Sequence, residues 1–171
     1  MRSVEYAPLA AAHDRSEFDC GSAEINLFLR HYARQQQEQG VSATTVAVEG
    51  KRILGYVTVC PCMLQGDTLS IKRLPRREVP ALLLARMGVH ADAGGTGIGR
   101  ALVTRALSLA VTMRESVGCV GVVLDPKEGR TSYYQRFGFL PLGIGARFTA
   151  CEPPMFMSIE RIRQLLTPPS S

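Results

Sequence analysis

Four glycines fall within six residues, Gly94, Gly95, Gly97 and Gly99, in the segment Met87-Gly88-Val89-His90-Ala91-Asp92-Ala93-Gly94-Gly95-Thr96-Gly97-Ile98-Gly99-Arg100. Glycine takes positive φ and lets a ligand approach the backbone closely. The nearly continuous apolar run 81–89 before it reads as a strand buried on both faces. After it, Ile98, Leu102, Ala106, Leu109, Ala110 and Met113 recur at helical spacing. A strand–turn–helix of this composition gathers amide N–H groups at the positive end of a helix dipole, which is an anion site. Arg100, in the first helical turn, adds a positive charge.

Three phosphate loops compete. A Walker A loop ends in Gly-Lys-Ser/Thr, whereas Gly99 is followed by Arg100 and Ala101. A Rossmann loop expects an acidic residue ~20 positions on, at the end of the next strand; Glu115 has about that spacing but precedes the strand. The third reading fits. The turn resembles the acetyl-CoA pyrophosphate loop of the GNAT N-acetyltransferase superfamily, Gln/Arg-x-x-Gly-x-Gly/Ala, with Gly97-Ile98-Gly99 as its second half. Gly94 stands where the pattern opens with Gln or Arg, so the remaining contacts are backbone N–H groups. Downstream, Ser132-Tyr133-Tyr134-Gln135-Arg136-Phe137-Gly138-Phe139 resembles the superfamily's Phe-Tyr-x-x-x-Gly-Phe segment. Near the start, Phe18-Asp19-Cys20-Gly21, then Ile25-Asn26-Leu27-Phe28-Leu29 and Ala33, is similar to a signature of GNAT toxins from type II toxin–antitoxin modules. Leu54-Gly55-Tyr56-Val57-Thr58-Val59 and the run from Val79 to Val89 continue the likeness, which covers about residues 5–158.

The resemblance implies the GNAT fold, a central mixed twisted sheet flanked by helices with acetyl-CoA in the splay between central strands. It also implies acetyl transfer to the α-amine of a charged tRNA, which blocks translation. Met87, Gly88, Val89, Gly94, Gly95, Thr96, Gly97, Ile98, Gly99, Arg100, Tyr134 and Phe137 would then hold the donor. Tyr134 is the expected general acid, since a phenol with pKa about 10 stays protonated at neutral pH and can donate to a departing thiolate; its competing role is to position the sulfur only. No residue stands out as general base; Glu17, Asp19, His90 and Asp92 are the candidates. An α-amine has a pKa of about 7.7–8.0 before an ester carbonyl lowers it, against ~10.4 for lysine. Lack of an evident base therefore suits an aminoacyl ester. The basic group Lys72, Arg73, Arg76 and Arg77 is either a solvated loop or an anion-facing patch; with Arg30 and Arg34 it would meet tRNA phosphates. The family further implies a ribbon-helix-helix antitoxin and often a homodimer. Two other readings share the core: a GNAT enzyme for a small-molecule or protein amine, and a non-catalytic acyl-CoA-binding module. Labelled acetyl-CoA with charged tRNA or polyamines separates the first of these, and CoA binding without turnover marks the second.

The elements that must position these groups follow from periodicity. A helix is expected over 23–39, with Ile25, Phe28, Leu29, Tyr32 and Ala33 as its apolar stripe, Ser22 as N-cap and Gly40 as terminator; Arg30, Arg34 and Gln35–Gln37 face solvent. A hairpin joins 44–48 to 53–60 through Gly50, and Pro61 ends its second strand. Residues 63–80 read as irregular. A helix over 98–113, a buried strand over 119–124, a short helix over 131–136, a strand over 156–158 and a final helix Ile159–Leu166 complete the order. This is a mixed α/β domain with a central strand–helix–strand unit.

Composition agrees. The chain has 171 residues, 46% hydrophobic and 20% charged, which argues against extensive disorder and for one domain over 1–166 with a flexible tail, 167–171. The net charge of +5 comes from 17 Arg and 3 Lys against 15 acids, which permits an anionic partner. No apolar run reaches the ~20 residues that span a bilayer, and the N-terminus shows no signal-peptide core; a cytoplasmic protein is expected. Cys20, Cys60, Cys62, Cys119 and Cys151 match no zinc or redox spacing and read as reduced, mostly buried thiols. His13, His31 and His90 show no ligand spacing, so no metal is expected.

Overall fold

The computed structural model describes residues 3–143 and 152–170; Cys151 and Ser171, named above, lie outside them. In chain order the elements are β1 (Glu5–Pro8), α1 (Ala23–His31), α2 (Ala33–Glu38), β2 (Ala43–Glu49), β3 (Arg52–Gln65), β4 (Glu78–Val89), α3 (Ile98–Ser116), β5 (Gly121–Leu124), α4 (Thr131–Gln135), β6 (Leu140–Pro141), β7 (Met155–Ser158) and α5 (Ile159–Leu166). The strands form a mixed seven-stranded sheet in the order β1-β2-β3-β4-β5-β7-β6. Pairing is antiparallel for β1–β2, β2–β3, β5–β7 and β6–β7, and parallel for β4–β5. The class is mixed α/β, as the element order implies.

Two compact units divide the chain: Met1–Cys60 with Ala85–Ala106, and Pro61–Leu84 with Leu107–Ser171. The first buries Leu9, Phe18, Ile25, Phe28, Leu29, Ala33, Val46, Val48, Ile53 and Tyr56 in one cluster. Its α1 is capped by the Ser22 hydroxyl, which accepts from the Ile25 N–H, an arrangement that satisfies one orphan donor of the first turn. The second unit buries Leu64, Leu69, Val79, Ala81, Val120, Val123 and Phe156. There β5 is buried along its whole length, as an apolar strand inside a sheet must be.

The structure corrects the expected boundaries at several places, each for a physical reason. The helix expected over 23–39 is two helices, broken at Tyr32, whose φ is −119°. The Arg15 guanidinium donates to Arg30 O at 3.1 Å, and a side chain taking a carbonyl out of the i→i−4 ladder is a recognised cause of a kink. The glutamine face is not simply solvated, because Gln37 Nε2 donates to Leu9 O and its Oε1 accepts from Thr44 N. Pro61 does not end β3, which runs on to Gln65. The β2 partner register stops at Ala43↔Val59, so beyond it one edge of β3 is unpaired by β2 and tolerates a residue with no N–H. Residues 63–65 and 78–80 are strand, although the irregular reading holds between them apart from a short 3-10 turn, Gly66–Thr68. The edge strands β1 and β6 carry no alternating pattern and were not expected. Of the cysteines, Cys119 is buried while Cys20, Cys60 and Cys62 are half-buried.

Candidate active site

β4 is not buried on both faces throughout. Its register with β5 covers Leu82↔Val122, Leu83↔Val123 and Leu84↔Leu124. Beyond it, Ala85, Arg86, Met87 and Val89 are half-buried and only Gly88 is buried. A strand that continues past its pairing register keeps backbone N–H and C=O groups without sheet partners on that side. This segment ends at the glycine-rich turn.

The turn itself is open. Gly94, Gly95, Thr96 and Gly97 are all exposed. Gly95 and Gly97 have φ of +74° and +86°, and nothing lies within 4 Å of the position a Cβ would take on either. Both therefore need glycine for their backbone conformation and not for lack of room. The Thr96 hydroxyl donates to Ala93 O and ties the turn to the preceding 3-10 segment Ala91–Ala93. The Ala101 N–H donates to Gly97 O, so the N–H groups ahead of it at the start of α3 have no intrahelical acceptor. Those amides and the dipole of a 19-residue helix suit an anion such as a diphosphate. Arg100 is exposed in the same turn.

The N-terminal motif explains how this turn is held. The Asp19 carboxylate accepts from Gly21 N and Asn26 Nδ2, and Asn26 Oδ1 accepts from Cys20 N. Ala91 N donates to Asp19 O, and His90 N donates to Leu54 O. The Phe18–Gly21 stretch is thereby fastened to the residues between β4 and the glycines. An ideal Cβ on Gly88 would sit 2.7 Å from Ile25 Cγ2 and 3.1 Å from Cys20 Sγ; only glycine lets α1 and Cys20 lie directly on the β4 backbone. Gly55 plays the matching part under α3, where a Cβ would meet Ile98 Cγ2 at 2.9 Å.

The four base candidates, scattered over 75 positions of sequence, share one cleft. Glu17, Asp19, His90 and Asp92 line a space of about 540 Å3 with Asp14, Phe18, Arg52 and Ile53. Three of them are engaged by other groups of the chain. His90 Nδ1 accepts from Asp92 N, which leaves Nε2 to donate to Glu17 O at 3.2 Å; this tautomer is assigned from the backbone donor. Two N–H donors hold the Asp19 carboxyl below its ordinary value. Asp92 pairs with Arg52 at 2.9 Å on the surface. Glu17 is exposed, and its carbonyl receives His90.

Tyr134 belongs to the second unit, on the five-residue α4. Its ring is buried, edge-on to Tyr133 at 5.1 Å and to Phe139 at 5.9 Å. Burial, with a lesser effect of Tyr133, pushes its phenol up to about 12. Phe137 is half-buried and packs edge-on against Tyr133. The N-terminal end of α4 is fastened by a residue that sequence reasoning missed. The Glu152 carboxylate accepts from Gly129 N at 2.8 Å and from the Thr131 hydroxyl, and these bonds hold its carboxyl below the usual range. No local signal announces a clasp spanning more than twenty residues.

The six basic residues expected to meet tRNA fall into two groups. Lys72, Arg73, Arg76 and Arg77 are exposed in the second unit, and no ion pair engages them among the described residues. In the first unit, Arg30 is half-buried with Nη2 donating to Phe18 O at 2.7 Å, and Arg34 pairs with Glu38 at 2.9 Å. Arg30 thus braces the N-terminal motif.

Fold and site together define an α/β protein with an open, amide-rich turn at the start of its longest helix. Residues 40–141 match the Acetyltransferase (GNAT) domain family, and the chain belongs to that family of acetyltransferases. It is 25% identical over 134 residues to a tRNA-acetylating toxin of Mycobacterium tuberculosis (strain ATCC 25618 / H37Rv), covering 77% of this chain and 81% of that one. Among solved structures it is similar to AtaT complexed with acetyl-methionyl-tRNAfMet, with a TM-score of 0.84, 24% identity and coverage of 96% and 100%. It is also similar to a tyrosine-to-phenylalanine variant of the AtaT toxin bound to acetyl-CoA and the C-terminus of the antitoxin AtaR, with a TM-score of 0.79, 23% identity and coverage of 96% and 99%. No helix among the described residues is long and apolar enough to cross a membrane.

Proposed function

We propose that this acetyltransferase moves the acetyl group of acetyl-CoA to the α-amine of an aminoacyl-tRNA and so acts as a translation-blocking toxin. The observation that carries the donor half is the open turn at Gly94–Arg100 following the half-exposed end of β4. The residues present fit acetyl-CoA: the amides of Gly97, Ile98, Gly99 and Arg100 would take the diphosphate, with Gly94, Gly95 and Thr96 shaping the turn. The backbone of Met87, Gly88 and Val89 would pair with the pantetheine and polarise the thioester carbonyl. The donor supplies an activated acetyl group. In the transfer, the amine nitrogen forms the new bond to the acetyl carbon as the carbon–sulfur bond breaks. The departing thiolate takes the Tyr134 proton, and the proton shed by the amine returns to the phenol through water. Phe137 packs the segment that presents Tyr134.

The acceptor half rests on chemistry and on the relatives. His90, Asp19 and Asp92 of the cleft are engaged by other groups of the chain, and an aminoacyl ester needs no base at neutral pH. One relative named above is a tRNA-acetylating toxin, and AtaT is solved in complex with acetyl-methionyl-tRNAfMet. Lys72, Arg73, Arg76 and Arg77, unengaged by carboxylates, are assigned to tRNA phosphates in a salt-sensitive contact; Arg34 is a weaker contributor, and Arg30 is not assigned to it. The same reading places the protein in the cytoplasm, where charged tRNA is found. It also pairs the protein with a ribbon-helix-helix antitoxin and makes it a homodimer. Labelled acetyl-CoA offered with total charged tRNA, and separately with polyamines, tests it. Label on the aminoacyl group supports the proposal; label only on polyamines overturns it.

A further inference from the structure

Arg86 lies on β4, two residues before Gly88 and on the same strand face, the face covered by α1. Its guanidinium sits over the Phe28 ring, 5.3 Å from the centroid. Phe28 is itself stacked with Tyr56 and with the half-exposed Tyr32. Nη1 donates to Ala85 O at 2.8 Å, and Nη2 is ion-paired with Glu24 Oε1 at 3.8 Å, too long for a direct hydrogen bond. Nε is buried and has no partner. An arginine fork carries five N–H donors; one is bonded to Ala85 O and the fork is ion-paired with Glu24, which leaves donors over for a ligand. The side chain is 37% exposed, so part of it is open to solvent while the Phe28 ring lies beneath the guanidinium.

A buried donor without an acceptor is a standing cost, and a chain retains one where a ligand or a constrained geometry compensates. An arginine stacked on an aromatic face and presented edge-on to solvent is preorganised for bidentate contact with a phosphate. The position suits the acceptor. The diphosphate loop follows β4, so a donor laid back along Val89, Gly88 and Met87 brings its acetyl end toward Arg86.

We infer that Arg86, resting on Phe28, is a specificity-determining residue that grips the phosphate of the acceptor's terminal nucleotide. This rests on the aminoacyl-tRNA reading above. It explains how an enzyme with no evident base would favour aminoacyl-nucleotides over free amino acids or polyamines, since those lack the phosphate.

The test uses two probes, a non-hydrolysable 3′-aminoacylamido-adenosine with and without its 5′-phosphate. Binding to the full-length wild type and to Arg86→Gln is measured by calorimetry with CoA present, with thermal midpoints as a fold control. In the wild type the phosphate tightens binding by about tenfold to a hundredfold, the range for a hydrogen bond to a charged group. In Arg86→Gln that gain falls to about twofold or less, while the probe without phosphate binds both proteins alike. A phosphate gain of equal size in both proteins overturns the inference, as does equal weakening of both probes, the mark of a merely structural arginine. If Arg86→Gln fails to fold, Arg86→Lys, which keeps the charge and loses the fork, is read against the same criterion. Acetylation of charged tRNA by the wild type is scored alongside. Its presence with no Arg86 effect refutes this inference alone, and its absence refutes the parent reading and this one with it.

Discussion

Replacing Gly97 with alanine separates backbone geometry from side-chain contact at the donor loop, because φ there is +86° and nothing lies within 4 Å of the added Cβ. No clash arises, so the whole effect is the left-handed backbone, which costs a non-glycine residue about 1–2 kcal/mol. If the turn keeps its shape, that cost appears as a fall in Tm of ~2–8 °C for a chain of this size. If it relaxes, the amides of Ile98 and Gly99 rotate away. Each lost hydrogen bond to a phosphate is then worth about 1.5–3 kcal/mol, or roughly tenfold to 150-fold in affinity. The expected outcome is a CoA Kd raised at least ~10-fold in Gly97→Ala. The companion change runs the other way. Gly94 has φ −60° and ψ 142°, a conformation open to any residue, and its nearest neighbour to a Cβ is Ala91 O at 3.5 Å. Gly94→Arg adds the side chain that the family pattern places there and should tighten CoA up to about tenfold. Calorimetric titration of CoA into each variant, with thermal melts beside it, reads both. Wild-type affinity in Gly97→Ala with no fall in Tm, the mark of a turn that has relaxed and still binds, would refute the reasoning that these amides grip the diphosphate.

Tyr134→Phe should lower kcat by about 10²- to 10⁴-fold, the usual contribution of a positioned proton donor, with CoA affinity within about twofold, and should relieve growth arrest on induction. Because burial holds the phenol near 12, loss of the proton donor begins only as pH rises toward that value. The kcat profile should therefore show no descending limb from Tyr134 below pH ~11, and a limb at lower pH that Tyr134→Phe abolishes would contradict the assignment. The Glu152 carboxyl is held below its ordinary value by Gly129 N and Thr131 Oγ1. Its stabilisation is present above the unfolded value, about 4.5, and is lost as pH falls through the folded value. Thermal midpoints between pH 3 and 6 should show that acid loss in the wild type and a flatter curve in Glu152→Gln. Gly88→Ala forces a Cβ to within 2.7 Å of Ile25 Cγ2 and should cost about 1–3 kcal/mol by overpacking, read as a lowered denaturation midpoint with unchanged slope.

Much was legible in order along the chain because the signals are local. Glycines at the left-handed positions of the turn, the apolar period of α3, the Ser22 cap and the short helix bearing Tyr134 each depend on neighbours within a few residues. The final helix, Ile159–Leu166, has its expected bounds for the same reason. The break at Tyr32 was not legible, since the group that opens the ladder is Arg15, fifteen residues before the carbonyl it takes. The course of β3 through Pro61 was hidden too, because it depends on where β2 stops.

The sequence by itself determined which chemistry the chain can carry: an amide-rich turn and a tyrosine after the next strand. Only the tertiary structure decided how those groups are used. It turned His90 and Asp19 from base candidates into fasteners of the turn, made Arg30 a brace, left the end of β4 half-exposed past its register, and laid Arg86 on Phe28. The reason is one of range. Backbone conformation follows from residues a few positions apart, whereas the state of a charged side chain is set by whichever donors and rings distant segments bring within ~3–5 Å of it.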